Sequence, residues 1–252
     1  MSKQDALFNY CLHLGDNSIV LAQRLSQWTG IGPFLEEDLA LTNIALDIFG
    51  RGKSLLDYAA RIENKGRTED SLAFLRNDRQ YSNFLICEQE NGDYAKTILR
   101  QAMMDCFELL LYSELMKSKD ETIAGIASKS VKEITYHKRH SFSWVERFGL
   151  GTAESKLRIQ NSLNELWRFT GEFFEMHDCD EVLLKEEISV DLKLLQPKWE
   201  NEIKNLFIKC NLKIPENVFM QTGGRKGIHT EHLAYLLAEM QVLPRMYPDA
   251  KW

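Results

Sequence analysis

The amino-acid sequence predicts an all-α fold built on a four-helix bundle with accessory C-terminal helices. Three observations carry that expectation. Prolines are few, five in 252 residues, and none lies between Pro33 and Pro197. Glycine is sparse, at 14, whereas an all-β domain needs turn residues roughly every 8 to 12 positions. Apolar residues also recur at alternating spacings of three and four through four long segments, which is the period of one helix face.

The first helix is expected from about Asp5 to Trp28, on the stripe Leu7, Cys11, Leu14, Ser18, Leu21, Leu25 and Trp28. Gly15 interrupts the composition but not the phase, at a cost of about 1 kcal/mol relative to Ala. Thr29 to Gly32 forms a turn, and Pro33 suits the first position of the next helix. Glu36, Glu37 and Asp38 then place negative charge on its positive end. This second helix runs to about Glu63, with an expected inward stripe of Leu35, Leu39, Thr42, Leu46, Phe49, Lys53, Leu56 and Ala60 and a second line of Asn43, Asp47 and Gly50 beside it. Short helical pieces fill Glu69 to Glu88. The third long helix spans about Tyr94 to Lys117, capped by Asp93, with Ile98, Gln101, Asp105, Glu108, Tyr112 and Leu115 inward. The fourth spans about Asp120 to Phe148, with Ile123, Ala127, Ser130, Ile134, His137, Ser141, Trp144 and Phe148 inward, and Gly149 and Gly151 end it. Thr152 caps a fifth helix that carries Leu163, Leu166, Trp167, Phe169, Phe173 and Phe174. Further helices lie near Trp199 to Cys210 and from Thr230 to Leu243, where Pro244 stops the chain's helical run. Four helices of about 25 residues, roughly 37 Å each, make one bundle. With no low-complexity linker to divide it, residues 1–252 read as a single domain.

Composition narrows the function classes. The chain carries 31 basic against 37 acidic residues, a net charge of −6, which disfavours duplex nucleic acid as a partner. No apolar run approaches the roughly 20 residues that cross a bilayer, and the first 18 residues are too polar for a secretory segment. Five scattered cysteines without a C-x-x-C pair read as reduced thiols in a cytoplasmic protein.

The inward stripes carry polar residues that a bundle core does not need: Asn43, Asp47, Gln101, Asp105, Tyr112 and His137. Buried carboxylates require a partner, a metal or water. The arrangement that places carboxylates and histidines inside such a bundle is the ferritin-like di-iron site, with lone carboxylates on two helices and Glu-x-x-His on the other two. Asp47 and Gly50 stand where one Glu-x-x-His would be, and Ile134 and His137 where the other would be. Asp105 supplies a lone carboxylate 29 residues before Ile134, and the same step back from Asp47 reaches Ser18. The six slots therefore read Ser18, Asp47, Gly50, Asp105, Ile134 and His137, of which three can bind metal. Asp105 and His137 are expected within hydrogen-bonding distance, directly or through one water, with Asn43, Gln101 or Tyr112 completing the network.

Several blocks resemble a known family. Leu14-Gly15-Asp16-Asn17, Gln23-Arg24-Leu25-Ser26 before Trp28, Glu37 to Leu41 and Asn43 to Asp47 resemble the C-subunit family of the bacterial phenylacetyl-CoA 1,2-epoxidases. So do Phe84 to Asp93, Trp167 to Thr170 and Thr222 to Gln241. The resemblance implies a ferritin-like structural subunit of a cytoplasmic multicomponent monooxygenase, with no metal or cofactor of its own. It implies a related catalytic A subunit that holds the di-iron centre, a small B subunit and a flavin/iron–sulfur reductase as partners. Three slots without ligands agree with a duplicated oxygenase that kept its fold and lost its metal. The alternative is an active di-iron subunit with ligands such as Glu108 or Glu133. A helical binding module with no link to oxygenases is the third reading.

The remaining features read structurally. His229 and His232 flank Glu231 without further ligands nearby and read as surface or interface residues at a helix start. Gly223 to Gly227 lacks phosphate-loop spacing and reads as a flexible loop touching a partner. Tyr136 to His140 is basic, but helical spacing scatters it around the circumference.

Overall fold

The computed structural model describes residues 1–248 and 250. Its described residues form ten α-helices with short 3-10 turns and no strand, so the all-helical, ferritin-like class expected from the sequence holds. The chain divides into two compact units: residues 1–90 with 222–252, and residues 91–221.

The first unit is built on an antiparallel hairpin of α1 (Lys3–Ser26) and α2 (Leu35–Glu63). Ser2 caps α1 by accepting from Asp5 N. From Tyr10 to Ala22 the helix is buried on every side, so the expected stripe is only part of what it buries. Two glycines set the hairpin spacing. A Cβ on Gly15 would lie 2.7 Å from Leu56 Cδ2, and one on Gly52 would lie 2.9 Å from Ile19 Cδ1.

That close approach selects the face of α2, and the expected stripe is corrected here. The buried line is Leu41, Ile44, Ile48, Leu55 and Ala59, joined by Gly52, Leu56 and Ala60. Leu35, Leu39, Leu46 and Lys53 are exposed, and Thr42 and Phe49 are half-buried. Helix α2 is apolar on two sides, and its small residues decide which side α1 takes. Helices α3 (Glu69–Phe74), α4 (Leu85–Glu88) and α10 (Glu231–Met246) complete the unit. Pro244 lies inside the last turn of α10 rather than after it. Its missing N–H leaves a single intrahelical bond unmade, and the helix runs on to Met246.

The second unit is built on the antiparallel pair α5 (Tyr94–Leu115) and α6 (Glu121–Leu150). Asp93 caps α5 through Lys96 N at 3.0 Å, and Asp120 caps α6 through Ile123 N at 2.9 Å. The expected inward stripe of α5 is buried throughout. That of α6 holds from Ile123 to Ser141, after which Val145 and Gly149 replace Trp144 and Phe148. Those two rings, half-buried, pack on Tyr94 with centroids 5.3 and 6.1 Å away. Gly149 is therefore inside the helix, against Cys210.

Thr152 caps α7 (Ala153–Leu166). The aromatics beyond it belong to two 3-10 turns, not to a helix. They form an aromatic core: Phe173 stacks on Phe107 at 4.9 Å and meets Trp199 edge-on at 5.6 Å. Trp199, from α9 (Gln196–Lys209), donates Nε1–H to Met103 O at 3.1 Å. Helix α8 (Asp178–Lys185), absent from the sequence expectation, opens with the Asp180 carboxylate accepting from His177 N at 2.7 Å. All five cysteines are buried thiols, and none forms a disulfide. No helix among the described residues is long and apolar enough to cross a membrane.

Candidate functional site

In the second unit the di-iron template points to Asp105, Ile134 and His137. All three are buried. Asp105 Oδ1 accepts from Gln101 Nε2 at 2.7 Å, and Oδ2 accepts from Ser141 Oγ at 2.7 Å. Gln101 sits one turn before Asp105, so helical spacing alone delivers that contact. Ser141, one turn after His137, lies on the expected stripe, but spacing within α6 gives no sign that it meets Asp105. Tyr112 and Glu108 lie buried on the same face of α5. Burial drives the neighbouring Cys106 thiol strongly upward in pKa, so it stays protonated and is a poor nucleophile or ligand.

In the first unit the template points to Ser18, Asp47 and Gly50. Ser18 is fully buried; its hydroxyl donates to Leu14 O at 3.0 Å and accepts from Arg51 Nε at 3.1 Å. Asp47 and Gly50 are only half-buried and Asn43 is exposed, because the phase of α2 is rotated from the expected one. Asn43 therefore drops out of the anticipated buried network, while Gln101 stays in it.

A di-iron centre does not fit these residues. Gly50 and Ile134 offer no donor atom. Ser18 has committed its hydroxyl, and its partner is a buried guanidinium, a permanent positive charge that opposes a nearby metal cation. Among the described residues no group of three or more His, Cys, Asp or Glu is placed to hold a metal ion.

A buried polar network lies elsewhere in the first unit, and sequence reasoning missed it. Asp16 is wholly buried and receives four hydrogen bonds. Arg76 donates through Nη1 at 3.0 Å and again through Nη2, while Ser82 donates through N at 2.9 Å and Oγ at 3.2 Å. The Arg76 guanidinium also lies 4.3 Å from the centroid of the Tyr81 ring. Nearby, buried Glu88 accepts from Asn83 Nδ2 at 2.9 Å, His229 Nδ1 at 2.8 Å, Thr230 N at 2.6 Å and Thr230 Oγ1 at 2.8 Å.

His229 Nε2 faces the Tyr81 carbonyl at 3.0 Å. Both ring nitrogens thus meet acceptors, which requires the doubly protonated imidazolium. Burial alone would lower the His229 pKa, but the hydrogen bond and charge of Glu88 outweigh it and raise it. The surface or interface reading of His229 is corrected: its side chain is buried and ties the return segment to α4. Arg24 adds bonds to Glu88 O and His232 O. Apart from Asn83 with Glu88 and Arg76 with the Tyr81 ring, five residues apart, these partners lie 60 to 208 residues apart, so local spacing does not betray the network. Every carboxylate oxygen here accepts at least one hydrogen bond, which makes the network a clamp rather than a reactive centre.

The Gly223 to Gly227 segment is a 3-10 turn. The amides of Lys226, Gly227 and Ile228 bond to Gly223 O, Gly224 O and Gly223 O. Three of the N–H groups a phosphate would need are thereby used. In the Tyr136 to His140 run, His137 points inward, Lys138 pairs with Glu202, and Arg139 lies over the Tyr136 ring. The expected scattering is observed.

Comparison with known proteins adds a lineage to this geometry. A family model described as phenylacetic acid catabolic protein matches residues 1–252. The chain is also 46% identical over 243 residues to the C subunit of the 1,2-phenylacetyl-CoA epoxidase of Escherichia coli K12, covering 96% of this chain and 98% of that protein.

Proposed function

The chain belongs to the phenylacetic acid catabolic protein family, and from that premise we propose that it is the non-catalytic structural subunit of a multicomponent phenylacetyl-CoA 1,2-epoxidase. It pairs with and stabilises a related catalytic A subunit that carries the di-iron centre, in aerobic degradation of phenylacetate. A small B subunit and a flavin/iron–sulfur reductase complete the system. The chain holds no metal or cofactor, contacts neither nucleic acid nor membrane, and works in the cytoplasm as a single ferritin-like domain.

One observation carries the non-catalytic reading: the Arg51 guanidinium donates to Ser18 where the template needs a lone carboxylate. A fixed cation inside the helical hairpin opposes a metal cation at that slot, and it cannot activate oxygen. The second unit supports the same view, since both Asp105 oxygens are held by Gln101 and Ser141. Of the alternative ligands, Glu133 pairs instead with Lys129 at 3.6 Å, which weakens the case for an atypical active site.

The test is turnover with metal analysis. The purified chain, reconstituted with Fe(II) and a competent reductase, is expected to bind no stoichiometric iron and to form no epoxide from phenylacetyl-CoA. Co-expression with the catalytic subunit is expected to give an iron-loaded complex that does. Epoxide formed by the pure chain would sink the proposal.

A further inference from the structure

Helix α6 sets a row of cations on its outward face. At about 100° per residue, Lys129, Lys132, Tyr136, Arg139 and Arg147 fall within an arc of about 80°, opposite the buried line from Ile123 to Val145. All five side chains are exposed. The row runs about 27 Å at about 1.5 Å per residue, in a chain whose net charge is −6.

The carboxylates around it are already engaged. On α6 itself, Glu133 pairs with Lys129 at 3.6 Å, and Glu146 pairs with Lys209 of α9 at 2.7 Å. On α9, Glu200 pairs with Lys204 and Glu202 with Lys138. On α7, Glu154 pairs with Arg158 and Glu165 with Lys96. Of the acids on α5, Asp105 and Glu108 are buried and Glu114 pairs with Lys117. Glu121, in the first turn of α6, lies about 17 Å along the axis from Lys132. His140, half-buried, stands at the edge of the row. Lys132, Arg139 and Arg147 form no ion pair among the described residues, so the row keeps its positive charge.

Aromatic rings hold two of these cations in place. The Arg139 guanidinium lies 5.7 Å from the centroid of Tyr136, and that of Arg147 lies 4.7 Å from the centroid of Trp144. Neither guanidinium makes a hydrogen bond among the described residues, which leaves open the N–H forks that match a carboxylate. A solvated helix face alternates charges of both signs. Arg beside Tyr and Trp is instead the composition of binding hot spots.

Shape and charge select the kind of partner. A convex ridge offers no concavity to a small ligand, and an acidic chain repels nucleic acid. An acidic protein surface is what such a row attracts. The ridge measures about 27 by 10 Å, roughly 300 Å², well short of the about 800 Å² that a stable partner takes, and it has no apolar core. A surface of this size and polarity suits an encounter that forms and dissolves. Among the components proposed above, the donor of reducing equivalents is the one that must dock and leave.

We infer that the outward face of α6 docks an acidic face of the electron-donating component. This rests on the assembly proposed above and names one surface that works in it. The assembled enzyme, with this chain wild type or carrying Arg139→Glu and Arg147→Glu, is titrated with the reductase while epoxide formation is followed. In wild type the half-saturating reductase concentration is expected to rise about tenfold between about 50 and 200 mM salt. The double reversal is expected to raise it at least about tenfold at the lower salt and to remove most of the salt dependence, with the rate at saturating reductase held within about twofold. Lys185→Glu with Lys193→Glu makes the same change of net charge on α8 and the turn after it, and is expected to move it less than about twofold.

An unchanged titration in the double reversal would overturn the inference while leaving the assembly intact. Loss of the catalytic subunit from the complex in that variant, seen by sedimentation, would assign the ridge to permanent assembly and also overturn it. Salt-sensitive self-association of the chain, abolished by the reversal, would assign the ridge to a second copy with the same result. Absence of assembly with the wild-type chain would remove the proposed function and the inference together.

Discussion

The buried pair Asp16–Arg76 permits a sharp test of the polar clamp through Asp16→Asn. The carboxylate accepts two hydrogen bonds from Arg76 and two from Ser82. An amide offers a single acceptor oxygen, so its NH2 must face a donor of Arg76 or Ser82. Burial alone would lower the Arg76 pKa, but the charge and hydrogen bonds of Asp16 outweigh it and raise it. In the variant that guanidinium stays charged, almost wholly buried and without its counter-ion. Orphaning one member of a buried ion pair costs about 3–5 kcal/mol. The bonds from Arg76 to Leu72 O and Gln80 O and the Tyr81 ring favour the lower end.

For a chain of this size about 2–4 °C of melting temperature accompanies each kcal/mol. Asp16→Asn is therefore expected to lower Tm by about 6–20 °C, toward the lower part of that range, read by calorimetry or circular dichroism. The double variant Asp16→Asn with Arg76→Met removes the stranded charge and is expected to recover a large part of the loss. A fall in Tm below about 2 °C, or strictly additive losses in the double variant, would refute the clamp.

The His229–Glu88 pair gives a pH signature. A histidine whose folded pKa is raised stabilises fully below its unfolded value near 6.5, and the benefit fades as pH rises through the folded pKa. The stability gap between wild type and His229→Gln, measured by urea midpoints, is expected to narrow from pH 6 to pH 9; a gap independent of pH would count against the imidazolium. Asp105→Ala leaves the buried amide of Gln101 without its acceptor, at about 1–3 kcal/mol, and the Ser141 hydroxyl with only its longer bond to Lys138 O at 3.3 Å, and should lower the urea midpoint accordingly. No change in the midpoint would mean that neither bond is made. Gly227→Ala places a Cβ 2.4 Å from Arg79 O at a residue with φ of 71°, a strain of about 1–3 kcal/mol before the clash is counted. Hydrogen exchange at Lys226, Gly227 and Ile228 is expected to accelerate in that variant, and unchanged protection would contradict the packing.

Where one helix face is apolar and the others polar, the sequence is readable. The expected stripe of α6 matches the buried residues from Ile123 to Ser141 because polar positions delimit it, whereas that of α5 is buried as part of a helix enclosed on every side from Thr97 to Glu108; the caps Asp93, Asp120 and Thr152 follow from local chemistry. Helix α2 misleads for a physical reason. Leu35, Leu39 and Leu46 have the spacing of a core line, yet the glycines that let α1 approach lie on the opposite side. That rotation takes Asn43 and Asp47 out of the buried set. Asp105 and Gln101 are legible because they sit four residues apart on one helix. The clamp is not, since Asp16, Arg76, Glu88 and His229 come from separate elements and acquire meaning only once the chain has folded. Pro244 shows a smaller limit: its position in a last turn decides its effect, and composition does not reveal position.

The split of the first unit across the chain has a consequence during synthesis. Glu88 leaves the ribosome 141 residues ahead of His229. At about 5–20 residues per second that is a wait of roughly 7–28 s, far longer than a helical hairpin needs to form. Through that interval the nascent α1–α2 hairpin has its glycine-lined contact but neither His229 nor Thr230 on the Glu88 carboxylate. A growing chain therefore presents an early, incompletely latched hairpin, open to a chaperone or to premature association along the leucines of α2. The closure of so long a loop also places the last step of folding at the C-terminal segment, and truncation before Thr230 would leave the hairpin unlatched however well its own helices form.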